Sequence, residues 1–478
     1  MQRIDDLFLA LLQKRHLDAA EEATRRKGDL DASFDLDRVF QDLYTVESWN
    51  LEECGANLPA LTQPLPVELR RLYFYRFIVA NVVAVHRADE TYEQLEPAIP
   101  EGDVAARCLF DTCRIADRWL SHAGSDVVGE LESVLETLAS EPRSVSMAYV
   151  ESMVHHSLGY AFKHSGNFKE AESHFGLAAD IANFYEFYTK HIYRSAFAKL
   201  CWASGQYRKA LELHSDGEAR RHARETRDHT FLIDSHLCTA KCAIDLGALS
   251  KVEEELEQAR DLLSTMELRS ASLPIYLDLY QAQLKVRRGE FEAGRRELEA
   301  CAQQFATLSP PSHQGKLDAE IELVALDLEQ AEYIRGFRRI ASLLDEAERR
   351  GVMDARTRLL AFQARLYLDR SAPLDLLRSG YDNLVERLQL MNNPRLTFLA
   401  YADLFAFARE HLDAAEQRRW LGRIRALDTV LERSCYETLY RDYVTERYRS
   451  ELERDLTGLD FDLDVQSEED GDSVSMPR

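Results

Sequence analysis

Through the middle third of the chain, large and small apolar residues alternate at helical spacing. Leu158, Gly159 and Phe162 come first, then Gly166, then Phe168, Ala171, Phe175 and Ala178. Steps of three and four residues place each set on one face of a helix. Gly166 stands between the sets, where a left-handed residue ends one helix and lets the next reverse direction. The pattern predicts two short helices packed antiparallel across a tight turn. Gly159 and Ala171 let the backbones approach, and Phe162, Phe168 and Phe175 fill the space around that contact.

The turn recurs. Gly166-Asn167-Phe168 has counterparts at Gly205-Gln206-Tyr207, Gly247-Ala248-Leu249, Gly289-Glu290-Phe291 and, in degenerate form, Ala331-Glu332-Tyr333, at offsets of 39, 42, 42 and 42 residues. A small residue follows three places after the bulky one at Ala171, Ala210, Gly294 and Gly336, with Val252 in the third copy. Upstream, helix 105–121, a turn at Ala123-Gly124 and helix 126–139 carry the pattern on. Downstream it continues in helices 355–369 and 374–390 around Ala372-Pro373, then 395–410 and 413–432. The hexapeptide His-Leu-Asp-Ala-Ala-Glu stands at 16–21 and again at 411–416, each time at a predicted helix corner. With 20 Gly and 12 Pro in 478 residues, few positions interrupt helix. A period in this range signals stacked units that bury a shared core. The expected fold class is all-α: an α-solenoid of antiparallel helix pairs with helical N- and C-terminal caps.

The repeats resemble the tetratricopeptide family. The first unit, about 152–185, matches that family's large-small pattern at nearly every place, and the others match half or fewer. The resemblance spans about 105–432. It departs in length, since the common repeat has about 34 residues; units near 42 give each helix roughly one extra turn. Long repeats of this kind are similar to those of bacterial regulators and peptide-sensing proteins. The resemblance implies that the first helix of each pair lines a concave groove. In that register the groove receives His156, Tyr160, Lys163 and His164, then Ile192, Ser195, Lys199 and Trp202. Asp234, Leu237, Lys241 and Ile244 follow, then Tyr276, Leu279, Gln283 and Arg287. Lys199 and Lys241 occupy the same place in successive units of a chain with only 11 lysines. A basic row beside Tyr160, Trp202 and Tyr276 suits a protein or peptide partner, acidic or carboxylate-ended. The competing reading makes these solvated charges over a core phased differently.

The ends of the array depart from the repeat. Residues 1–60 read as an N-terminal cap or small helical domain, and 61–104 as a linker and hairpin leading into the array at 105–436. The stretch 437–456 is amphipathic through Leu439, Tyr440, Tyr443, Tyr448 and Leu452 and reads as a C-terminal capping helix. Residues 457–478 hold seven acidic side chains and one basic residue, a composition expected to stay disordered. Its run Leu459 to Asp464 is a candidate ligand for the chain's own groove, with a solvated tail as the alternative.

Charge narrows the function. A net charge of −24 sets the body against nucleic acid and against anionic membranes. The start lacks the pattern of a signal peptide, no run is apolar enough to span a bilayer, and a cytoplasmic setting is expected. Eight scattered cysteines read as buried thiols; Cys238 and Cys242 lie one turn apart without the second pair that a zinc site needs. Nine of the fourteen histidines fall between 155 and 236, without a His-x-x-x-His pair, and read as packing and surface residues. Phosphate loops, dinucleotide fingerprints, nucleophile elbows and His-Glu-x-x-His are missing from the sequence. No catalytic residue, cofactor or metal is therefore expected. The leading expectation is a non-catalytic interaction scaffold or adaptor that binds a peptide segment in its groove. The alternative is a ligand-responsive regulator whose array changes shape on binding.

Overall fold

The computed structural model describes residues 101–369 and 394–427 with short gaps, together with Phe74, 92–93, 96–99 and parts of 380–388. The expected cap at 1–60, most of 61–104, the turns at Gly205 and Ala372-Pro373, much of helix 374–390, the capping helix 437–456 and the acidic tail lie outside the described residues. Among the described residues there is no strand. Two helices, α1 (Val104–Ser121) and α2 (Val127–Ala139), lead into the pairs α3–α4 (Val145–His164, Phe168–Phe184) and α5–α6 (Lys190–Ala203, Tyr207–His214). A short α7 (Gly217–Glu225) precedes α8–α9 (His229–Asp245, Leu249–Ser264) and α10–α11 (Ser272–Arg287, Phe291–Thr307). The pair α12–α13 (His313–Glu329, Tyr333–Arg349), α14 (Met353–Asp369), α15 (Pro394–His411) and α16 (Ala414–Ala426) complete the array. The fold is an all-α solenoid of antiparallel helix pairs.

The turns share one backbone solution. Gly166, Gly247 and Gly289 stand at φ of 82°, 73° and 82°, and Ala331 reaches 56° despite its Cβ. Beyond each, an N–H donates five residues back: Asn167 to Phe162 O, Ala248 to Ala243 O, Glu290 to Lys285 O and Glu332 to Asp327 O, all at 2.8–2.9 Å. Gln206 N–H makes the same bond to Cys201 O at 2.8 Å. These bonds satisfy a carbonyl that the helix end would orphan. In the first pair Asn167 also caps α4, its side chain accepting from Glu170 N–H. A Cβ placed on Gly159 would lie 2.6 Å from the Phe175 ring, so that helix contact requires glycine. Phe168, Ala171 and Phe175 are buried beside it, while Phe162 is half-buried and stacks on His174.

The second pair breaks the pattern. Its outer helix stops at His214, and a separate α7 begins at Gly217. Asp216 accepts from Glu218 N–H at 2.9 Å and pairs with Arg194 at 2.9 Å, which holds the break. Ser235 Oγ donates to His214 O at 2.5 Å and satisfies a carbonyl freed there. On α7, Arg220 reaches the buried Glu255 of α9 at 3.1 Å, and His236 Nδ1 lies 2.6 Å from the same carboxylate.

First helices pack on one another in sequence: α3 on α5, α5 on α8, α8 on α10, α10 on α12 and α12 on α14. The layer also curves back on itself, because α14 touches α3. Small rotations between successive units accumulate into this curvature. It brings distant side chains together across the inner face.

Candidate functional site

The candidate groove draws on side chains of α3, α5, α8, α10 and α12, the first helices that pack on one another. On α3, the His156 ring packs on Tyr193 and Tyr160, with centroids 4.7 and 5.0 Å away, and Tyr160 meets Phe175 edge-on at 5.3 Å. Burial, reinforced by the Lys199 charge, lowers the His156 pKa to about 3, so the ring is neutral at pH 7. Its Nε2 is buried without a partner among the described residues. His164 is also lowered to about 3, by burial and then by Lys163, whose Nζ stands 5.8 Å from the Tyr160 ring centre.

The expected basic row is a row of ion pairs. Lys199 Nζ donates to both oxygens of Asp234, at 3.0 and 2.9 Å, and Ser195 Oγ donates to the same carboxylate at 3.3 Å. Burial opposes both charges, yet the pair wins: Asp234 titrates below its usual range and Lys199 well above its own. Their side chains remain 32% and 30% exposed, as befits the wall of a groove rather than a core. Lys241 Nζ donates to Gln283 Oε1 at 3.0 Å and to Glu322 Oε1 at 3.5 Å, and lies 3.8 Å from Asp245. It also sits 5.3 Å from the centre of the Trp202 ring, whose Nε1 donates to Asp245 at 2.5 Å. The physical reason for the pairing is desolvation: two bare ammonium groups this deep would be costly without carboxylates.

Other assignments split by polarity. Tyr276 and Gln283 accompany Lys241 on the inner side, Tyr276 packing on Phe305 at 4.8 Å. Arg287 ends α10 in an exposed position, and its charge helps hold Asp245 down behind Lys241 and Arg395. Leu237 and Ile244 belong instead to the core between α8 and α9, and Leu279 to the core between α10 and α11. Apolar residues in the expected register turn away from the groove because burial rewards it.

Sequence reasoning passed over Tyr280, Asp318 and Glu322, and weighed Cys238 only as a thiol and a zinc ligand. The repeat itself is the signal that finds them, because Asp234, Tyr276 and Asp318 recur at 42-residue steps, as do Cys238, Tyr280 and Glu322. Asp318 accepts from Gln314 Nε2 at 3.0 Å and lies 3.8 Å from Arg358 of α14. Burial raises its pKa even so. The hydroxyls of Tyr160, Tyr276 and Tyr280 have no hydrogen-bond partner among the described residues. Burial likewise raises all three phenols.

The described cysteines are buried free thiols. Burial pushes Cys201, Cys238 and Cys301 up to about 12, which keeps them as thiols. Among the described residues, no group of three or more His, Cys, Asp or Glu side chains is arranged to hold a metal ion. Nor is any described helix long and apolar enough to cross a membrane.

No family model matches the chain, and no curated protein matches it by sequence. Solved structures do. A crystal structure of a Rap protein complexed with competence and sporulation factor superposes with a TM-score of 0.59 at 13% identity, covering 77% of this chain and 99% of that one. The chain is therefore similar in fold to that Rap protein.

Proposed function

We propose that this chain is a non-catalytic receptor for a peptide segment, held in the groove between α3, α5, α8, α10 and α12. The observation that carries the reading is unmet hydrogen-bonding capacity. The hydroxyls of Tyr160, Tyr276 and Tyr280 lack protein partners among the described residues, and those of Tyr276 and Tyr280 lie within electrostatic reach of a half-buried carboxylate, Asp318. An extended peptide brings a donor and an acceptor with almost every residue, and the aromatic faces take its side chains. The fold's likeness to a Rap protein crystallised with competence and sporulation factor supports a ligand in an array of this shape. Because Lys199 and Lys241 are already paired, the groove suits a peptide of mixed charge better than a uniformly acidic one. A polyanion would have to displace Asp234 and Glu322 first.

The protein then acts as an adaptor, or as a regulator that responds to its ligand. The return contact of α14 on α3 favours the regulator, since a closed curve has an open alternative. Affinity selection of a pooled pentapeptide mixture on the full-length protein, read by mass spectrometry, tests the groove. The Tyr276→Phe/Tyr280→Phe double variant keeps both rings and removes both hydroxyls. Retained peptides should bind it roughly tenfold more weakly or worse, since one hydrogen bond is worth about 1 kcal/mol. Equal retention by both proteins would take the groove out of the reading.

A further inference from the structure

The C-terminal helices do more than extend the array. Phe398 and Phe405 of α15 and Ile424 of α16 share one apolar core with Tyr207, Trp202 and Leu246, residues some two hundred positions earlier in the chain. Arg395, at the start of α15, places its guanidinium 5.4 Å from the Tyr207 ring centre and 6.0 Å from that of Trp202. Both rings are thus within cation–π range of one charge. Trp202 is oriented from beneath by Asp245 and flanked by Lys241. Lys241 in turn reaches Glu322, which pairs with Arg358 of α14 at 3.8 Å.

This seat has a definite place in the fold. Trp202, Leu246 and Asp245 stand at the C-terminal ends of α5 and α8, and Tyr207 starts α6, so all lie along the rim of tight turns. Asp234, Tyr276 and Asp318 stand in the N-terminal halves of their helices. Lys241 belongs to both regions, lining the groove and bracing the seat.

We propose that α15–α16 form a latch over the turn rim of the groove: docked on Trp202 and Tyr207 they hold the solenoid closed, and undocked they let it open. As regulation of the groove, this rests on the peptide-receptor reading above; as a closing contact, it stands on the packing alone. A solenoid's curvature is a sum of small rotations, so one contact between distant units controls much of its shape. A ligand that draws Lys241 away from Glu322 or Asp245 loosens the support under Trp202, which couples occupancy to the latch. The coupling is reciprocal, so undocking also changes how the groove holds its ligand.

Hydrogen exchange on the full-length protein tests the latch, comparing wild type with Arg395→Glu, which sets a carboxylate beside Asp245. Loss of a partly desolvated cation–π seat should raise exchange in 394–411 and in 200–208 together by roughly tenfold. Exchange in α10–α13 should stay as in wild type. Faster exchange confined to 394–411, or no change, would overturn the latch. Should Arg395→Glu fail to fold, the wild type decides the matter: the two stretches must open in one correlated event, and independent opening overturns it. The pentapeptide pool is then applied to both proteins. Altered retention by Arg395→Glu supports coupling, and unaltered retention overturns it. Should neither protein retain any peptide, the groove reading fails while the exchange result still decides the latch.

Discussion

The two halves of the array differ in what lies beside their apolar cores. Between α3 and α4 the contact is aromatic and dry, with Phe175 packed against the bare backbone of Gly159 and Phe168 and Ala171 buried beside it. In the α12–α13 pair Val324 and Ile340 keep that place apolar, and charge enters at Asp327 and Arg339, the counterparts of Phe162 and His174. Asp327, fully buried, takes ion pairs from Arg295, from Arg339 at 3.2 Å and from Arg335 at 3.8 Å. Glu332, Glu299 and Glu320 pair with the same arginines. An arginine–carboxylate lattice can fill the inter-helix space that aromatics fill elsewhere, provided every charge is paired.

Breaking the lattice should have the largest effect. Asp327→Ala leaves buried Arg295 with only the part-exposed Glu332 as partner, and should cost about 3 kcal/mol in urea denaturation. Replacing Arg295 with Met and Asp327 with Leu together should cost far less, because the charges leave as a pair. A similar loss in the single and the paired replacement would mean that shape, rather than charge, holds this half.

Acid probes a second buried charge cluster, around Glu255 of α9. Burial works against the charge on Glu255, but His236, Arg220 and Lys251 hold its pKa down to about 2, from an ordinary 4.5. A depressed folded pKa means stability that is present above the ordinary value and lost as pH falls through the folded one. The contribution, roughly 3 kcal/mol, should therefore disappear between about pH 4.5 and 2. Thermal melts of wild type and Glu255→Gln should converge over that window, and parallel curves would refute the assignment.

The aromatic half answers to volume instead. Gly159→Ala brings a methyl to within 2.6 Å of the Phe175 ring and should cost about 1–3 kcal/mol. That loss should be insensitive to salt, unlike any loss from the lattice. A salt-dependent value would blur the contrast between the halves.

The smallest effects come from the turns common to both halves. Gly289 has open space where a Cβ would go, so Gly289→Ala should cost only about 1 kcal/mol of left-handed backbone strain. Ala331 already carries that strain at φ 56°, and Ala331→Gly should return a gain of a few tenths to 1 kcal/mol. Urea midpoints moving in opposite directions would establish that the two turns are one motif. Equal shifts of the same sign would separate them.

The turns were legible because they are local. A glycine, a bulky residue two places on and a hydrogen bond spanning six residues need nothing from the rest of the chain. The break after His214 was also written locally, in Ser215-Asp216-Gly217, but the repeat drew attention away from it. The groove was legible only in part. Period and register brought out Lys199, Lys241, Tyr160 and Tyr276, whereas a register read on helix geometry alone kept Leu237 and Leu279 on a face that burial denies them.

By itself, then, the sequence determined where helices end, how many residues each unit spans and that the units stack, since those follow from dihedral preference and periodicity over a few turns. Only the tertiary structure decided what each groove charge faces. Asp234 meets Lys199 from 35 positions away, Glu322 meets Lys241 from 81, and Arg395 crosses the ring to Trp202. Those partners depend on accumulated curvature, a sum of small inter-unit rotations that no single stretch of sequence encodes.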